Sequence, residues 1–324
     1  MYRSCVKIAK EGVLAIRYLD RDCYEPSRFL RDLNRTAAAV GAPFDEARVR
    51  RSLEVFDTEF SRQVVQLKVT SESGGALFYR FFMGSFDLVE TAFRYGLIGW
   101  EATRGPLGAL QHQLLEAFPQ AAPAGLDFNS GVGLAKSWTF LGRRRWADLL
   151  HVAAFPRSMR AASDLLDRLS LDTIFFVACD FQHESVNVYS LLDGGQLDPG
   201  WLRRLLVEMA GPREVSAGPA RLLDALANGA TLGMTFSWNN DEMLRWALYG
   251  LNVPYLSETA RVALPTLPPR LRTFLAHAPT LSLDPQVNVA WSFGRAGFYM
   301  KLEKSYAKNV PAARASGDAL FFPS

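Results

Sequence analysis

With 324 residues, 49% of them hydrophobic and 21% charged, and a mean hydropathy near zero, the chain is not a disordered polymer and can bury a sizeable core. A net charge of +3 excludes the dense basic stripe expected of a nucleic-acid binder. No apolar run approaches the ~18 residues of a membrane span; the best is TIFFVAC at 173–179. The first twenty residues carry Lys7, Lys10, Glu11 and Arg17 among the apolar positions and make no secretory core. Cys5, Cys23 and Cys179 are few and far apart, which fits a reducing cytoplasm rather than a disulfide framework or a zinc site.

In chain order, 27–40 reads as a helix ended by Gly41 and Pro43, and 44–56 as a second. Two strand-like runs follow at 63–70 and 76–83, joined by the turn-rich SESGG. The same pattern then recurs. Helices at 88–97 and 106–118 precede strands at 125–129 and 133–141. RRR at 143–145 reads as a solvated turn. A helix at 158–169 precedes strands at 173–180 and 185–192 around FQHE. Helices at 199–209 and 219–227 precede strands at 230–238 and 243–251 around NND. A helix at 269–277 precedes strands at 287–293 and 298–306 around GRAG.

Five hairpins, each preceded by helix, form a repeat of roughly 50–60 residues. Hairpins pair antiparallel, so the parallel order of a doubly wound sheet is excluded. The expected fold is α+β: one antiparallel ten-stranded barrel of five helix–hairpin units with the helices outside. Such a barrel has a lumen wider than side chains alone fill.

Alternate strand residues share a face. That alternation groups Gln66, Lys68 and Thr70; Phe78, Arg80 and Phe82; Lys136, Trp138 and Phe140; Ser185, Asn187 and Tyr189; Arg245, Ala247 and Tyr249; and Lys301, Glu303 and Ser305. Thr231 and Gly233 look inward on the seventh strand. On one strand alone, such cations read as a solvated outer face. Across Lys68, Arg80, Lys136, Arg245 and Lys301, the mixture of cations and aromatics points to an enclosed anion site beside a π-rich space. A diphosphate is the natural anion. The chain has no DDxxD, GxxxxGK[ST], GxSxG or HExxH motif. GVGLAK at 131–136 falls in a hairpin and carries little weight as a nucleotide loop. His112, His151, His183 and His277 are scattered and read as structural or surface residues.

These stretches carry a resemblance. RTAAAVGAP (35–43), LKVTS (67–71), FYRFF (78–82), GLAKSWTFLG (133–142), SVNVY (185–189) and WSFGRAGFYMKLEKSY (291–306) resemble the soluble aromatic prenyltransferases of the ABBA family. They are most similar to the aminocoumarin-pathway branch that acts on 4-hydroxyphenylpyruvate. The resemblance runs from about Cys23 onward, so 1–22 is expected to be an N-terminal extension and 23–324 a single barrel domain. It implies an enzyme of secondary metabolism that moves a dimethylallyl or geranyl group from its diphosphate to an aromatic small molecule, acting as a monomer without nucleic-acid or membrane partners.

It further implies diphosphate contacts at Lys68, Arg80, Lys136, Asn187, Tyr189, Arg245 and Lys301. Where the magnesium-dependent branch has an aspartate, this chain has Gln66; Lys68 would replace the metal's charge, so no cofactor is expected. Phe175 stands where the aminocoumarin type carries an arginine, which implies a neutral acceptor lined by Phe175. Trp138, Gly233, Tyr249 and Ser305 complete the expected acceptor and cation lining. Glu303 is the expected catalytic residue, holding the acceptor hydroxyl or removing the ring proton, against a plain salt bridge to Lys301 or Lys304. The competing readings are a non-catalytic barrel that binds a prenyl diphosphate or aromatic metabolite, and a diphosphate-hydrolysing relative.

Overall fold

A computed structural model describes residues 24–82, 88–192, 198–210, 226, 229–239, 242–254, 267–282, 285–294 and 297–308. Ten strands are present: β1 Val64–Thr70, β2 Leu77–Phe82, β3 Ala122–Asn129, β4 Gly133–Arg145, β5 Thr173–Asp180, β6 Ser185–Leu192, β7 Ala230–Ser237, β8 Met243–Pro254, β9 Gln286–Gly294 and β10 Gly297–Ala307. Each pairs antiparallel with its sequence neighbours, and β10 pairs antiparallel with β1 to close the barrel. The expected five-hairpin barrel is therefore the observed one.

Helices lie outside it: α1 Pro26–Val40, α2 Glu46–Val55, α3 Asp57–Arg62, α4 Leu88–Arg94, α5 Trp100–Arg104, α6 Pro106–Ala117, α7 Trp146–Leu149, α8 Arg157–Ala161, α9 Ser163–Arg168, α10 Pro199–Ala210 and α11 Pro269–His277. The helix expected at 219–227 lies outside the described residues save Leu226. No described helix is long and apolar enough to cross a membrane.

Local signals explain the elements. Pro26 opens α1, where its missing N–H costs nothing. Gly41 ends it at φ 63°, a left-handed position that glycine fills without steric penalty. Asp45 caps α2 by accepting from the Arg48 amide at 3.1 Å. Phe29, Leu33, Ala37 and Val40 recur at helical spacing and bury the inner side of α1.

The two large apolar clusters lie not inside the barrel but between the strands and the helix layer. One cluster joins Phe29, Leu33, Phe56 and Phe60 to the outward residues Leu67, Tyr79, Phe81 and Leu302. A second joins Leu110, Trp146, Met159 and Leu202 to Val177, Val188, Leu232 and Trp246. Strand residues are thus buried on both faces, outward against helices and inward against the lumen.

Three strands run longer than their sequence signal, β8 by continuing past 251 to Pro254. β3 begins at Ala122 and passes through Pro123, where the register shifts; a proline has no N–H to add to a ladder, and the shift accommodates it. β4 continues to Arg145, which corrects the reading of RRR as a turn. Gly142, at φ 70°, sits in an irregularity after Phe140, and pairing resumes at Arg144 with Ile174. Arg143 and Arg145 are exposed, so that stretch is solvated but extended.

Candidate active site

Register places the inward residues in rings around the lumen. Lys68 is level with Phe78 on β2 and with Glu303 on β10. Arg80 is level with Gln66 and Asp127, Asp127 with Lys136, and Lys136 with Asp180. Asn187 lies level with Thr235, and Thr235 with Arg245. All five expected cations therefore face one enclosed space, joined there by Asn187, Tyr189, Tyr249, Gly233 and Ser305.

Three carboxylates share it. Asp127 is fully buried and takes Lys68 Nζ at 2.6 Å, with Arg80 3.7 Å away. Its other oxygen accepts from Trp138 Nε1 at 2.9 Å. Arg80 is also paired with Glu303 and donates twice to Gln66 Oε1, at 3.0 and 3.1 Å. Lys136 Nζ lies 2.6 Å from Asp180, which also meets His183 Nδ1 at 3.1 Å. Asp127 and Asp180 escaped the sequence reading. Asp127 follows the apolar AGL of a strand whose first residues, Ala122 and Pro123, were missed, and Asp180 is the last residue of TIFFVAC-D, where it passes for a strand end.

Arg245 and Lys301 have no carboxylate within ion-pair reach among the described residues. Arg245 donates to Tyr299 Oη, and Lys301 Nζ to Tyr249 Oη at 3.2 Å. Burial, then the neighbouring Arg245, Lys136 and Lys68, push the Lys301 ammonium well below the usual lysine value. Burial also lowers Lys68, partly offset by Asp127. Burial would raise the Asp127 and Asp180 carboxyls, but Lys68 and Arg80 at the first, and Lys136 and His183 at the second, outweigh it and hold both low. Near the unpaired cations, Asn187 Nδ2, Ser185 Oγ and Arg245 Nε are buried polar atoms with no hydrogen-bond partner. Surplus positive charge and unsatisfied donors in one enclosure make a site for a polyanion.

An aromatic wall adjoins it. Trp138 and Tyr189 have ring centroids 4.8 Å apart, and Tyr189 and Tyr249 are 6.1 Å apart. Gly233 lies beneath the two tyrosines: a Cβ there would stand 3.0 Å from Tyr189 Cε1 and 3.3 Å from Tyr249 Cε2. Burial raises both phenols, so they stay neutral at ordinary pH. Further along, Phe82 and Phe176 meet the Trp138 ring, Phe140 meets Phe176, and all three pack on the cluster that includes Ala124, Ala178, Ala247 and Ala290. Ser305 is wholly buried and its Oγ has no partner.

Two expectations need correcting. The phenylalanine on the lumen is Phe176, whose ring meets Trp138 and Phe140. Phe175, its neighbour on the strand, points to the opposite face, where Arg143 covers its ring at 5.7 Å. Glu303 pairs with neither Lys301 nor Lys304. Its partners are Arg80 and Asn288, whose Nδ2 donates at 3.0 Å. Lys304 points outward and donates to the Leu275 and Ala278 carbonyls at the end of α11. Among the described residues no three metal-ligating side chains gather.

A model of the family described as aromatic prenyltransferase Orf2 matches residues 24–314. The chain is 31% identical over 300 residues to 4-hydroxyphenylpyruvate 3-dimethylallyltransferase of Streptomyces niveus, covering 92% of this chain and 90% of that one. It is 29% identical to an aromatic prenyltransferase of Botryotinia fuckeliana, covering 92% and 96%. Among solved structures, 5-dimethylallyl tryptophan synthase from Streptomyces coelicolor, in complex with DMASPP and Trp, superimposes with a TM-score of 0.53 at 17% identity, covering 90% and 98%. That last likeness is one of fold. The chain belongs to the aromatic prenyltransferase Orf2 family, within the ABBA barrel group. It is a transferase that prenylates aromatic compounds.

Proposed function

We propose that this enzyme transfers a dimethylallyl or geranyl group from its diphosphate to an electron-rich carbon of a small aromatic acceptor without a metal ion. The observation that carries this is the pair of half-buried cations, Arg245 and Lys301, that lack carboxylate partners among the described residues and stand beside the Trp138–Tyr189–Tyr249 wall. A leaving diphosphate needs positive charge as the C–O bond breaks, and fixed cations supply it without reorganisation. Arg245, Lys301 and Lys136, with Asn187 Nδ2, would bind the anion. Lys68 and Arg80, held by Asp127 and Glu303, border the same site and would complete its ring of cations.

Support for metal independence is local: Lys68 Nζ already occupies Oδ2 of Asp127, the buried carboxylate level with Arg80 on the neighbouring strand. The bond electrons leave with the diphosphate. The allyl cation formed lies against the aromatic faces, each contact worth ~0.5–2 kcal/mol, and the dry wall keeps water from quenching it. The acceptor ring attacks, a carbon–carbon bond forms, and a base removes the ring proton. Glu303, on the lumen and anchored by Arg80 and Asn288, is placed to hold the acceptor hydroxyl or take that proton. The Phe82–Phe140–Phe176 end suits a neutral aromatic acceptor. A reducing compartment such as the cytoplasm fits the unpaired, buried Cys179.

The test is a mass-spectrometric assay in excess EDTA with dimethylallyl diphosphate and a dihydroxynaphthalene, 4-hydroxyphenylpyruvate, an indole and a flavonoid. A product one isoprene unit heavier is expected. Product only after magnesium is restored would overturn the metal-free reading.

A further inference from the structure

We propose that Asp127 is a positioning residue that couples the occupancy of the diphosphate site to the ring that lines the allyl path. The inference rests on the donor-site reading above. Asp127 lies at the meeting point of two groups with different tasks. Oδ2 holds Lys68 at 2.6 Å and faces Arg80 at 3.7 Å, on the anion side. Oδ1 accepts the Trp138 indole N–H at 2.9 Å, on the aromatic side.

The register makes this one device. Asp127 lies level with Arg80 on β2 and with Lys136 on β4, and Trp138 is two residues further along β4 on the same face. Arg80 completes the loop from the other direction, with its guanidinium 5.6 Å from the Trp138 ring and 4.7 Å from the Phe82 ring.

Two physical effects follow. First, a tryptophan ring anchored only by packing can tilt. One whose N–H donates to a buried carboxylate cannot tilt without stretching a charge-assisted bond. Second, a carboxylate accepting the N–H feeds electron density into the indole, which strengthens the ring's attraction for a cation. When a diphosphate draws Lys68 and Arg80 toward itself, their hold on Oδ2 loosens. The carboxylate's charge is then concentrated on the N–H it still holds. The wall would be tuned at the moment the leaving group is seated.

A merely structural Asp127 would neutralise Lys68 and Arg80 and nothing more. The two readings separate on Trp138. In the full chain, the indole N–H resonance of Trp138 is the peak lost in Trp138→Phe. We expect that peak to move on titration of the wild-type protein with inorganic diphosphate, and to move again in Asp127→Asn. A peak unmoved by saturating diphosphate overturns the coupling; this arm needs no turnover and survives if Asp127→Asn fails to fold. It is also independent of whether transfer needs a metal.

With the acceptor from the EDTA assay, Trp138→Phe and Asp127→Asn should each lower kcat about tenfold with a smaller change in the donor KM, and the double variant should lose little more than either single one. Losses that multiply, or a fall confined to KM, would reduce Asp127 to charge balance. Absence of turnover in the wild type, together with a diphosphate-sensitive indole, would instead fault the transferase reading and leave the coupling standing.

Discussion

Lys301 sits among cations in the lumen, and its ammonium donates to the Tyr249 phenol with no carboxylate partner among the described residues. Buried charge without a counter-charge destabilises a fold. Replacing it with methionine is therefore expected to raise the melting temperature while abolishing transfer; a variant that is less stable, or still active, would show the lysine has another partner. Lys136→Ala and Arg245→Ala should likewise lose transfer, with circular dichroism unchanged. The proton balance has a definite sign. Lys301 sits below its ordinary value when the site is empty, and a bound diphosphate would raise it again, so above the depressed value binding should take up a proton. Calorimetry in buffers of different ionisation enthalpy would detect that uptake in the alkaline range, and Lys301→Met should remove it.

At the scale of the strand, the choice of face decides chemistry. Phe175 and Phe176 differ by one residue, and only Phe176 meets the lumen rings. Phe176→Arg should raise turnover of a carboxylate-bearing acceptor such as 4-hydroxyphenylpyruvate relative to a neutral phenol, whereas Phe175→Arg should leave the ratio unchanged. Equal effects would mean both side chains reach the lumen. Gly233→Ala should cost about 1–3 kcal/mol by overpacking and displace the tyrosine pair, read as slower transfer with donor binding retained.

Strands were the legible part of this chain. All ten lie within a few residues of where alternation and turn residues put them, because a closed barrel imposes period two along every strand. The inward cations were legible for the same reason. What could not be read was what neutralises them. Asp127 and Asp180 meet Lys68 and Lys136 across strands distant in sequence, and that pairing depends on register. The partner of Glu303 was missed likewise, since the nearest cations along the chain, Lys301 and Lys304, are not its nearest in space. Phe175 was assigned by likeness rather than by alternation, which leaves the face open until the register is known.

Over the whole molecule, the ion cluster makes the barrel sensitive to acid. Asp127 and Asp180 titrate below their ordinary range in the fold. Their contribution is complete above the unfolded carboxylate value of about 3.9 and is lost as pH falls toward the lowered native values. Urea unfolding should thus give a stability that declines below about pH 4, and Asp180→Asn should flatten that decline. A slope equal to wild type in that variant would show that Asp180 is not among the groups responsible.

The barrel is sealed by β1 against β10, with Val65 opposite Ala307. Its first strand leaves the ribosome long before the partner it needs. Until the last strand arrives, β1 presents a bare edge of amides and carbonyls, and the inward lysines and arginines line an open trough rather than an enclosure. Synthesis at ~5–20 residues per second makes that interval last many seconds. During it the nascent chain is exposed to edge-to-edge association, and it gains its donor site only once β10 has emerged. Ribosome-arrested chains that stop before β10 should therefore fail to retain a prenyl diphosphate, however much of the helical layer has already formed.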